Sequence, residues 1–379
     1  LYFWYDSETA RYKLKVGIAF TTEMLIGFPE QEADAKAWQE WLERPVVVRP
    51  EVNYLNTTSA LLPIAPKEGS PLPRYEAMMD GALEEWVHVR DERHEYGFMN
   101  FGDTYSDPAC LWSNNEYDST FFHYIEFLRG GDPRWYLLGN QAARHLTDID
   151  TCNYSRKAGQ IGRQYMHTPG HAGGFLPPFF RSKSSGSKSI PSHSWVEGLV
   201  LHYLLTGEET VRSEVRQTGL WLMRDLRYYN FKNMRECGWH LIHLCGLARL
   251  DDDPRPLNAA TIIVEKVLEK QSPGGGWDHP LAEAHCHCEP PRCHGAAGFM
   301  VGVLLAGLRR FYELTHDTRV AGAIVGGAQW LIDKTYVPEA GLFRYTYCAK
   351  RGGPEGARAV RVVEALADAY RLAQDPRLA

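Results

Sequence analysis

Residues 113–146 decide the fold and read SNNEYDSTFFHYIEFLRGGDPRWYLLGNQAARHL. An apolar helix predicted over Ser113–Leu128 is followed by the phrase Gly131-Asp132-Pro133-Arg134. Asp is a favoured N-cap residue, and Pro is tolerated at the first helical position because the N–H that it lacks would have no partner there. The stretch therefore predicts two helices joined by a tight turn, which is a helical hairpin.

The same turn phrase, or a close variant, recurs along the chain at uneven spacings of roughly 45 to 75 residues, longer than a solenoid repeat. Its other copies are Gly207-Glu208-Glu209, Asp253-Pro254-Arg255, Asp317-Thr318-Arg319 and Asp375-Pro376-Arg377. Apolarity predicts five inner helices: Ser113–Leu128, His193–Leu205, Glu236–Leu250, His294–Leu308 and Ala357–Leu372. Hairpins with an apolar inner helix close most naturally into a ring. The predicted fold class is therefore mainly α, an (α/α) toroid over residues 74–379.

The N-terminal part has a different pattern. Residues 1–28 alternate in the β manner, most clearly from Tyr12 to Phe20, and predict the last strands of a β-sandwich domain. With a short helix predicted over Glu32–Leu42, they make up a first region of residues 1–43. Prolines concentrated in residues 44–73 then predict an extended linker. The N-terminus lacks the residue order of a signal peptide, so we expect further sequence upstream, and the localisation stays open.

The composition argues against two classes of partner. The net charge is -6 and the basic residues do not line one helix, so we expect no nucleic-acid partner. The longest uncharged apolar run, Gly295–Leu308, is too short to span a bilayer, so we expect no membrane partner. Eight cysteines are too few for a disulfide-built fold of 379 residues.

One loop differs from the rest of this acidic chain. Residues 151–196 contain no Asp or Glu, but they carry six basic side chains, three histidines and the doublet Gly173-Gly174. The basic residues and histidines are Arg156, Lys157, Arg163, Arg181, Lys183, Lys188, His167, His171 and His193. A glycine-rich loop of this kind suits the binding of an anion and proton transfer close to it. The alternative is a basic surface loop, and Ser182–Ser189 has that composition.

Polar and aromatic residues also recur at the starts of the inner helices. They are Asn114, Asn115, Glu116, Tyr117, His193, Trp195, Glu197, Trp239, His240, His243 and His294. In a ring of hairpins the loops that enter the inner helices meet on one face. The recurrence therefore predicts a cleft at this face.

Several phrases together resemble the exo-rhamnogalacturonan lyase and YetA-like family. They are Tyr96-Gly97, Phe101-Gly102-Asp103, the run from Trp112 to Asp118, the run from Ala143 to Asp150, and His171-Ala172-Gly173-Gly174. The resemblance implies a barrel domain, a central β-sandwich and a C-terminal α/α toroid, of which this chain would hold the end of the sandwich and the toroid. It also implies a polysaccharide lyase or close relative that acts on glycans containing uronic acid.

β-Elimination of a uronate needs a group that neutralises the carboxylate, a base for the C5 proton and an acid for the leaving oxygen. Arg can grip a carboxylate with two hydrogen bonds, and His or Tyr can move protons. The predicted catalytic residues are Arg163, Tyr165, His171, His193 and Tyr117. The predicted substrate-binding residues are Asn114, Asn115, Glu116, His167, Trp195, Glu197, Trp239 and His240. Packing is the alternative for Tyr165, local hydrogen bonding for His193, and helix capping for Asn115.

Two other functions remain open at this stage. A glycoside hydrolase of the same architecture would use two carboxylates roughly 5 to 10 Å apart. Its acids would come from Glu116 with Asp118, Asp148 with Asp150, or Glu197. A non-catalytic glycan-binding protein would keep the aromatic residues, but it would not need the concentration of His, Tyr and Arg.

No cofactor is predicted with certainty, and two places are candidates for a divalent cation, either calcium or zinc at the first and zinc at the second. His145, Asp148 and Asp150 could hold a divalent cation, or could instead cap a helix, orient a histidine or pair with an arginine. His285-Cys286-His287-Cys288 with Cys293-His294 could bind zinc, form a disulfide such as Cys288 to Cys293, or be a loop without metal. Ligands separated by one residue rarely both fit a tetrahedral structural zinc site, and the usual C-x₂₋₄-C pair is absent.

Overall fold

The computed structural model describes residues 5–6, 11–12, 16–28, 30–43, 45–58, 60–97, 99–106, 111–167, 190–224, 226, 233–351, 353–355 and 359–378. Helices dominate these ranges, which confirms the mainly α fold class. They are α1 (Glu32–Glu43), α2 (Val52–Thr58), α3 (Pro73–Glu92), α4 (Ser119–Gly130), α5 (Pro133–His145), α6 (Glu197–Thr206), α7 (Glu209–Leu222), α8 (Met234–Leu250), α9 (Arg255–Lys270), α10 (Gly298–Thr315), α11 (Thr318–Thr335) and α12 (Val360–Ala373).

The strands in the described ranges are short and antiparallel. The pairs are Tyr5–Asp6 with Arg11–Tyr12, Tyr105–Ser106 with Leu111–Trp112, and His279–Pro280 with His294–Gly295. One three-stranded sheet has Leu342–Arg344 between Tyr336–Val337 and Pro354–Glu355. No described helix has both the length and the apolarity to cross a membrane.

The chain divides into two compact units. The first unit holds Leu1–Lys188 and Leu201–Glu214, and the second holds Ser189–Val200 and Val215–Ala379. The predicted closure of the hairpins into one ring stays a prediction.

The repeated turn phrase forms the helix starts that the sequence predicts. At the start of α5 the Asp132 side chain accepts the backbone N–H of Arg134 at 2.9 Å, and the Arg134 guanidinium returns to the same carboxylate. Three of the other copies have the same backbone bond at 2.9 to 3.0 Å: Asp253 to Arg255, Asp317 to Arg319 and Asp375 to Arg377. Each carboxylate thus satisfies an N–H that would otherwise lack an intrahelical partner.

The core of the first unit lies between α3, α4 and α5. Its buried side chains are Met79, Leu83, Tyr124, Phe127, Leu128, Trp135, Tyr136, Leu138 and Leu201. One polar chain crosses this core: the Tyr124 hydroxyl lies 2.6 Å from His202 Nδ1, and His202 Nε2 lies 3.0 Å from Glu208. The phenol and imidazole are thereby hydrogen-bonded although both are fully buried.

The core of the second unit is built around α8 and α10, which pack directly on each other. A Cβ added to Gly238 would lie 2.3 Å from the Val303 carbonyl oxygen, and one added to Gly307 would lie 2.5 Å from the Gly238 carbonyl oxygen. Only glycine therefore permits this approach of two helix backbones. α9 packs on α8, while α11 and α12 pack on α10.

Several predicted elements differ from the structure. The helices predicted from His193 and His294 begin at Glu197 and Gly298, and α2 (Val52–Thr58) lies inside the segment predicted as an extended linker. α4 begins at Ser119 instead of Ser113, because the residues before it form a turn with left-handed backbone angles. Residues 16–28 form no strand, contrary to the predicted alternation up to Phe20. Gly17 has a φ of 106°, and the segment pairs through single bonds, such as Ala19 N to the Asp148 carbonyl oxygen at 2.8 Å.

Candidate functional site

A strained turn precedes α4 and presents predicted site residues. Four residues of this turn have left-handed φ angles: Asn114 51°, Asn115 53°, Tyr117 65° and Asp118 62°. Asn and Asp tolerate this region, whereas Tyr rarely adopts it, and each such residue costs on the order of 1 to 3 kcal/mol. Backbone strain of this kind persists only where the surroundings enforce it, which often marks a functional site. Residues 114–118 are called the Asn114–Asp118 turn below.

Asp103 holds the turn in this conformation through hydrogen bonds. Its carboxylate accepts the backbone N–H groups of Asn114 at 2.8 Å and Asn115 at 3.0 Å, and it also accepts the Ser113 hydroxyl. At the other end the Asp118 carboxylate accepts the N–H of the third residue of α4 and caps the helix. Two buried carboxylates thus fix the conformation that α4 alone would not adopt.

A histidine lies behind Asp103. The His145 Nδ1 lies 3.1 Å from the Phe101 carbonyl oxygen and therefore donates to it. The Nε2 of this ring lies 3.4 Å from Asp150 and 3.8 Å from Asp103, and all three side chains are closed to solvent. Burial lowers the pKa of His145, but attraction to Asp150 and then Asp103 outweighs it and raises the pKa to about 9.

The three side chains form one of the groups that could hold a metal ion. Asp103, His145 and Asp150 each offer a ligand atom within 4.8 Å of the others. A protonated imidazole between the two buried carboxylates would neutralise part of their negative charge, as a bound cation would. We favour this protonated form because both carboxylates lie close to Nε2 and their charges raise the pKa of the ring.

Stability should therefore fall at alkaline pH. The folded-state pKa of His145, about 9, lies above the ordinary value of 6.5, so the stabilisation is complete below pH 6.5 and is lost as the pH rises through 9. We expect a loss on the order of 3 kcal/mol in the free energy of unfolding from this group. Urea titrations of the parent and of His145→Gln between pH 6 and 10 measure it as the difference. A bound cation would keep the ring neutral, and the two pH profiles would then run parallel.

Asp148 does not belong to this group, which corrects the predicted metal set of His145, Asp148 and Asp150. The Asp148 carboxylate instead accepts the backbone N–H and the hydroxyl of Thr21, at 2.7 and 2.9 Å. Asp148 and Asp150 lie two positions apart on one helical turn, and residues so spaced do not face each other.

The chain then returns to the Asn114–Asp118 turn. Thr151 pairs with Gln164 in an antiparallel bridge, and Tyr165 N donates to the Asp150 carbonyl oxygen at 2.8 Å. The Asn114 side-chain amide donates to the Tyr165 carbonyl oxygen at 3.3 Å. Part of the acid-free loop therefore lies directly beside the strained turn.

Residues at this junction differ in exposure. Asn115 is buried, and its Nδ2 has no hydrogen-bond acceptor among the described residues. Glu116 and His167 are half-buried, with a carboxylate oxygen and a ring nitrogen within 4.8 Å of each other. Tyr117 is 40% exposed. A donor, a carboxylate, an imidazole and a phenol thus lie on two adjoining segments of the first unit.

Tyr165 and Arg163 have local partners. The Tyr165 hydroxyl interacts with the Cys152 thiol, and burial raises its pKa. The Arg163 Nε donates to the Gly159 carbonyl oxygen at 2.9 Å, and the side chain is half-buried. The packing alternative for Tyr165 agrees with this environment, while the catalytic roles of both residues stay predictions. His171, another predicted catalytic residue, lies outside the described residues.

His193 lies in the second unit, at the end of a short 3₁₀ helix, Pro191–His193. It is largely buried near Glu236. Burial raises the pKa of Glu236, and the imidazole of His193 offsets part of that rise. Its catalytic role stays a prediction.

Three predicted sugar-binding residues of the second unit lie in its interior. Trp195 and Trp239 pack edge to face with ring centroids 4.9 Å apart, and both are at most 2% exposed. The Nε2 of His240 lies 2.8 Å from the Leu222 carbonyl oxygen, and burial lowers its pKa to about 4. Sugar binding by these residues stays a prediction, and their burial speaks against it because an interior ring has no face to offer a sugar.

Glu197, also predicted to bind substrate, forms an ion pair within the second unit. Its carboxylate accepts Arg310 Nε and Nη2 in a forked pair at 2.8 and 2.9 Å, and Arg310 is buried in α10. A carboxylate held in this way fixes Glu197 against α10 within the second unit and has little freedom to meet a sugar.

Removal of this carboxylate should destabilise the second unit. We expect Glu197→Gln to lower the free energy of unfolding by about 3 kcal/mol, because it leaves the Arg310 charge buried without its main partner. The matched control is Glu265→Gln, which removes the carboxylate from an exposed pair with Arg319 and should cost less than about 1 kcal/mol. Equal losses in the two variants, measured by urea unfolding, would contradict the structural role of Glu197.

Among the cavities lined by described residues, two lie in the first unit and have volumes of about 410 and 820 Å³. The smaller is lined by Trp86 and Asp103 among others, and the larger by Arg144 and His145. Neither lining includes Tyr117. The strained turn therefore presents its phenol outside both cavities.

The sequence alone predicts no role for Asp103. It appears there only within Phe101-Gly102-Asp103, and no spacing rule connects it with His145 or with the Asn114–Asp118 turn. A buried carboxylate with two backbone donors is recognisable only once the chain has folded.

Comparisons with known proteins relate the chain to a curated protein and to a solved structure. No protein-family model matches the chain. The uncharacterized protein YetA of Bacillus subtilis (strain 168) is 25% identical over 161 residues, which cover 38% of this chain and 19% of that protein. The chain thus spans about a fifth of the length of the curated relative that it matches.

The solved structure named Polysaccharide Lyase BACCELL_00875 is similar in fold. The TM-score is 0.52 at 12% sequence identity, and the match covers 70% of this chain and 72% of that chain. The two proteins therefore share a fold over most of their length.

Proposed function

We propose that the protein is a polysaccharide lyase that cleaves a glycan containing uronic acid, of the rhamnogalacturonan or ulvan type, by β-elimination. The observation that carries the proposal is the Asn114–Asp118 turn, strained and anchored by Asp103, with Glu116 and His167 side by side. The fold similarity to a polysaccharide lyase and the match to YetA support it, and both agree with membership of the exo-rhamnogalacturonan lyase and YetA-like family.

In this proposal Asn115 binds the carboxylate of the uronate, and Arg163 is a second hydrogen-bond donor to it. The Asn115 amide nitrogen is buried and has no acceptor among the described residues, and such a donor is costly to leave without a hydrogen bond. A uronate oxygen would supply the missing acceptor once the turn moves to admit it, since the amide nitrogen itself is closed to solvent. Withdrawal of charge from the carboxylate makes the neighbouring C5 proton more acidic.

Proton transfer falls to His167 and Tyr117. His167 would remove the C5 proton, with Glu116 holding its ring in position. The electron pair then forms the C4–C5 double bond as the bond from C4 to the glycosidic oxygen breaks, and Tyr117 would protonate that oxygen. A positioned acid or base is typically worth about 10² to 10⁴ in rate. His171 and His193 remain further predicted participants.

The engaged carboxylates favour a lyase over a hydrolase. Asp118 caps α4, Asp148 binds Thr21, and Asp150 lies beside His145. Glu197 is paired with Arg310. Among the acids considered for a hydrolase, Glu116 is the one beside an imidazole on the turn, and a glycosidase needs a second carboxylate.

The experiment is an assay on a panel of uronate polysaccharides that follows two signals, the absorbance of the unsaturated uronate and the number of reducing ends. A lyase raises both signals together. Reducing ends without the absorbance would indicate a hydrolase, and neither signal across the panel would indicate a glycan-binding protein.

A further inference from the structure

Four cysteine side chains of the second unit converge on one point. Each of Cys286, Cys288, Cys293 and Cys348 offers a sulfur atom, and the four atoms all lie within 4.8 Å of one another. Cys286 and Cys348 are buried, while Cys288 and Cys293 are half-buried. The first three belong to a single loop, and the fourth comes from a segment 60 residues beyond Cys288.

The distances between the sulfur atoms match those around a tetrahedral metal ion. Cys288 Sγ lies 3.7 Å from Cys293 Sγ and 3.7 Å from Cys348 Sγ. Zinc–sulfur bonds of about 2.3 Å at tetrahedral angles separate two ligand sulfurs by about 3.8 Å. A disulfide needs about 2.05 Å. The cysteines are not disulfide-bonded, so the bridge from Cys288 to Cys293, one of the alternatives left open by the sequence, is absent.

From this geometry we infer that Cys286, Cys288, Cys293 and Cys348 bind one structural zinc ion. Four thiolates close the coordination shell and leave no position for water or substrate, which is the arrangement of structural zinc sites. The backbone N–H of Cys293 already points to Cys286 Sγ at 3.4 Å, as outer N–H groups do toward metal-bound thiolates.

The surroundings explain what the ion would stabilise. The only large apolar side chain in the buried cluster at this point is Leu281, among the residues that the structure describes, and the other members are the four cysteines. Such a cluster buries too little apolar surface to order a loop. The metal would cross-link the loop before α10 to the segment before α12, where Thr346 already hydrogen-bonds the His285 carbonyl oxygen at 3.0 Å.

The histidines of the loop lie outside the ligand group. His287 and His294 are exposed, and His285 packs edge to face on Tyr345 with centroids 5.7 Å apart. Ligands separated by one residue rarely both fit a tetrahedral site, but here the sulfur atoms of Cys286 and Cys288 both reach the group.

The test begins with elemental analysis of the full chain, purified without chelators and dialysed in zinc-replete buffer. We expect one zinc ion per chain. Substitution of cobalt should give the intense absorption of a tetrahedral thiolate site. Cys348→Ser and Cys288→Ser should each lower the affinity for zinc at least about tenfold. Both should also lower the melting temperature. Cys245→Ala, which removes a buried thiol in α8, should keep the zinc.

A second measurement applies even if the ligand variants do not fold. Alkylation of the parent, followed by mass spectrometry, should modify the four cysteines only after a chelator is added. Less than about 0.2 zinc per chain, iron in its place, a Cys288–Cys293 disulfide, or chelator-independent alkylation of all four would overturn the inference. None of these readouts depends on lyase activity, so they stand apart from the proposed function.

Discussion

Asp103→Asn should abolish most turnover and destabilise the first unit. The carboxylate accepts two backbone N–H groups of the Asn114–Asp118 turn and lies 3.8 Å from His145 Nε2. An amide of the same shape directs an N–H₂ group toward one of those donors and removes the charge. Loss of one partner from a buried charged pair costs about 3 to 5 kcal/mol. The turn should then relax from its left-handed angles and withdraw its side chains from the substrate.

The matched control is Asp148→Asn, since this carboxylate also accepts a backbone N–H but does so near the surface, from Thr21. It should cost about 1 kcal/mol and leave turnover nearly unchanged. Urea unfolding and the uronate assay on both variants decide the matter. If Asp103→Asn behaved like the control, Asp103 would not hold the site.

Tyr117→Phe should lower turnover by about 10² to 10⁴ with little change in stability. The side chain is 40% exposed, so removal of one hydroxyl changes little buried surface. The loss follows from the proposed protonation of the leaving oxygen, which a phenyl ring cannot perform. The measurement is kcat on a uronate glycan together with the melting temperature.

Tyr154→Phe is the control for Tyr117→Phe, because Tyr154 is 60% exposed and lies outside the turn. It should keep parental turnover. Near-normal kcat in Tyr117→Phe would show that another group protonates the leaving oxygen, and Tyr165 and His171 would then be the next variants to test.

The helices were the most predictable part of the molecule. The Asp-Pro-Arg phrases predicted helix starts because the cap is local: the bond joins residues two positions apart. Apolar periodicity likewise predicted the inner helices within a few residues, as for Glu236–Leu250 against Met234–Leu250. Helix caps and apolar periodicity involve residues close together in the sequence, so they can be predicted from it.

Features that depend on distant residues could not be predicted in this way. α4 begins at Ser119 and not at Ser113 because Asp103 holds the preceding turn. The residues around Ser113 give no indication of that contact. The fourth cysteine of the thiol group could not be predicted for the same reason, since Cys348 joins the loop from far along the sequence. Glu197 was assigned to substrate because its partner on α10 is equally remote.

The most direct test of the central claim is the mass of the products formed from a uronate oligosaccharide, with Tyr117→Phe run beside the parent. β-Elimination leaves the fragment with the new non-reducing end lighter by one water than the same fragment from hydrolysis. The proposed function predicts the lighter, unsaturated fragment, formed quickly by the parent and slowly by the variant. Fragments at the full hydrolysis mass would contradict it.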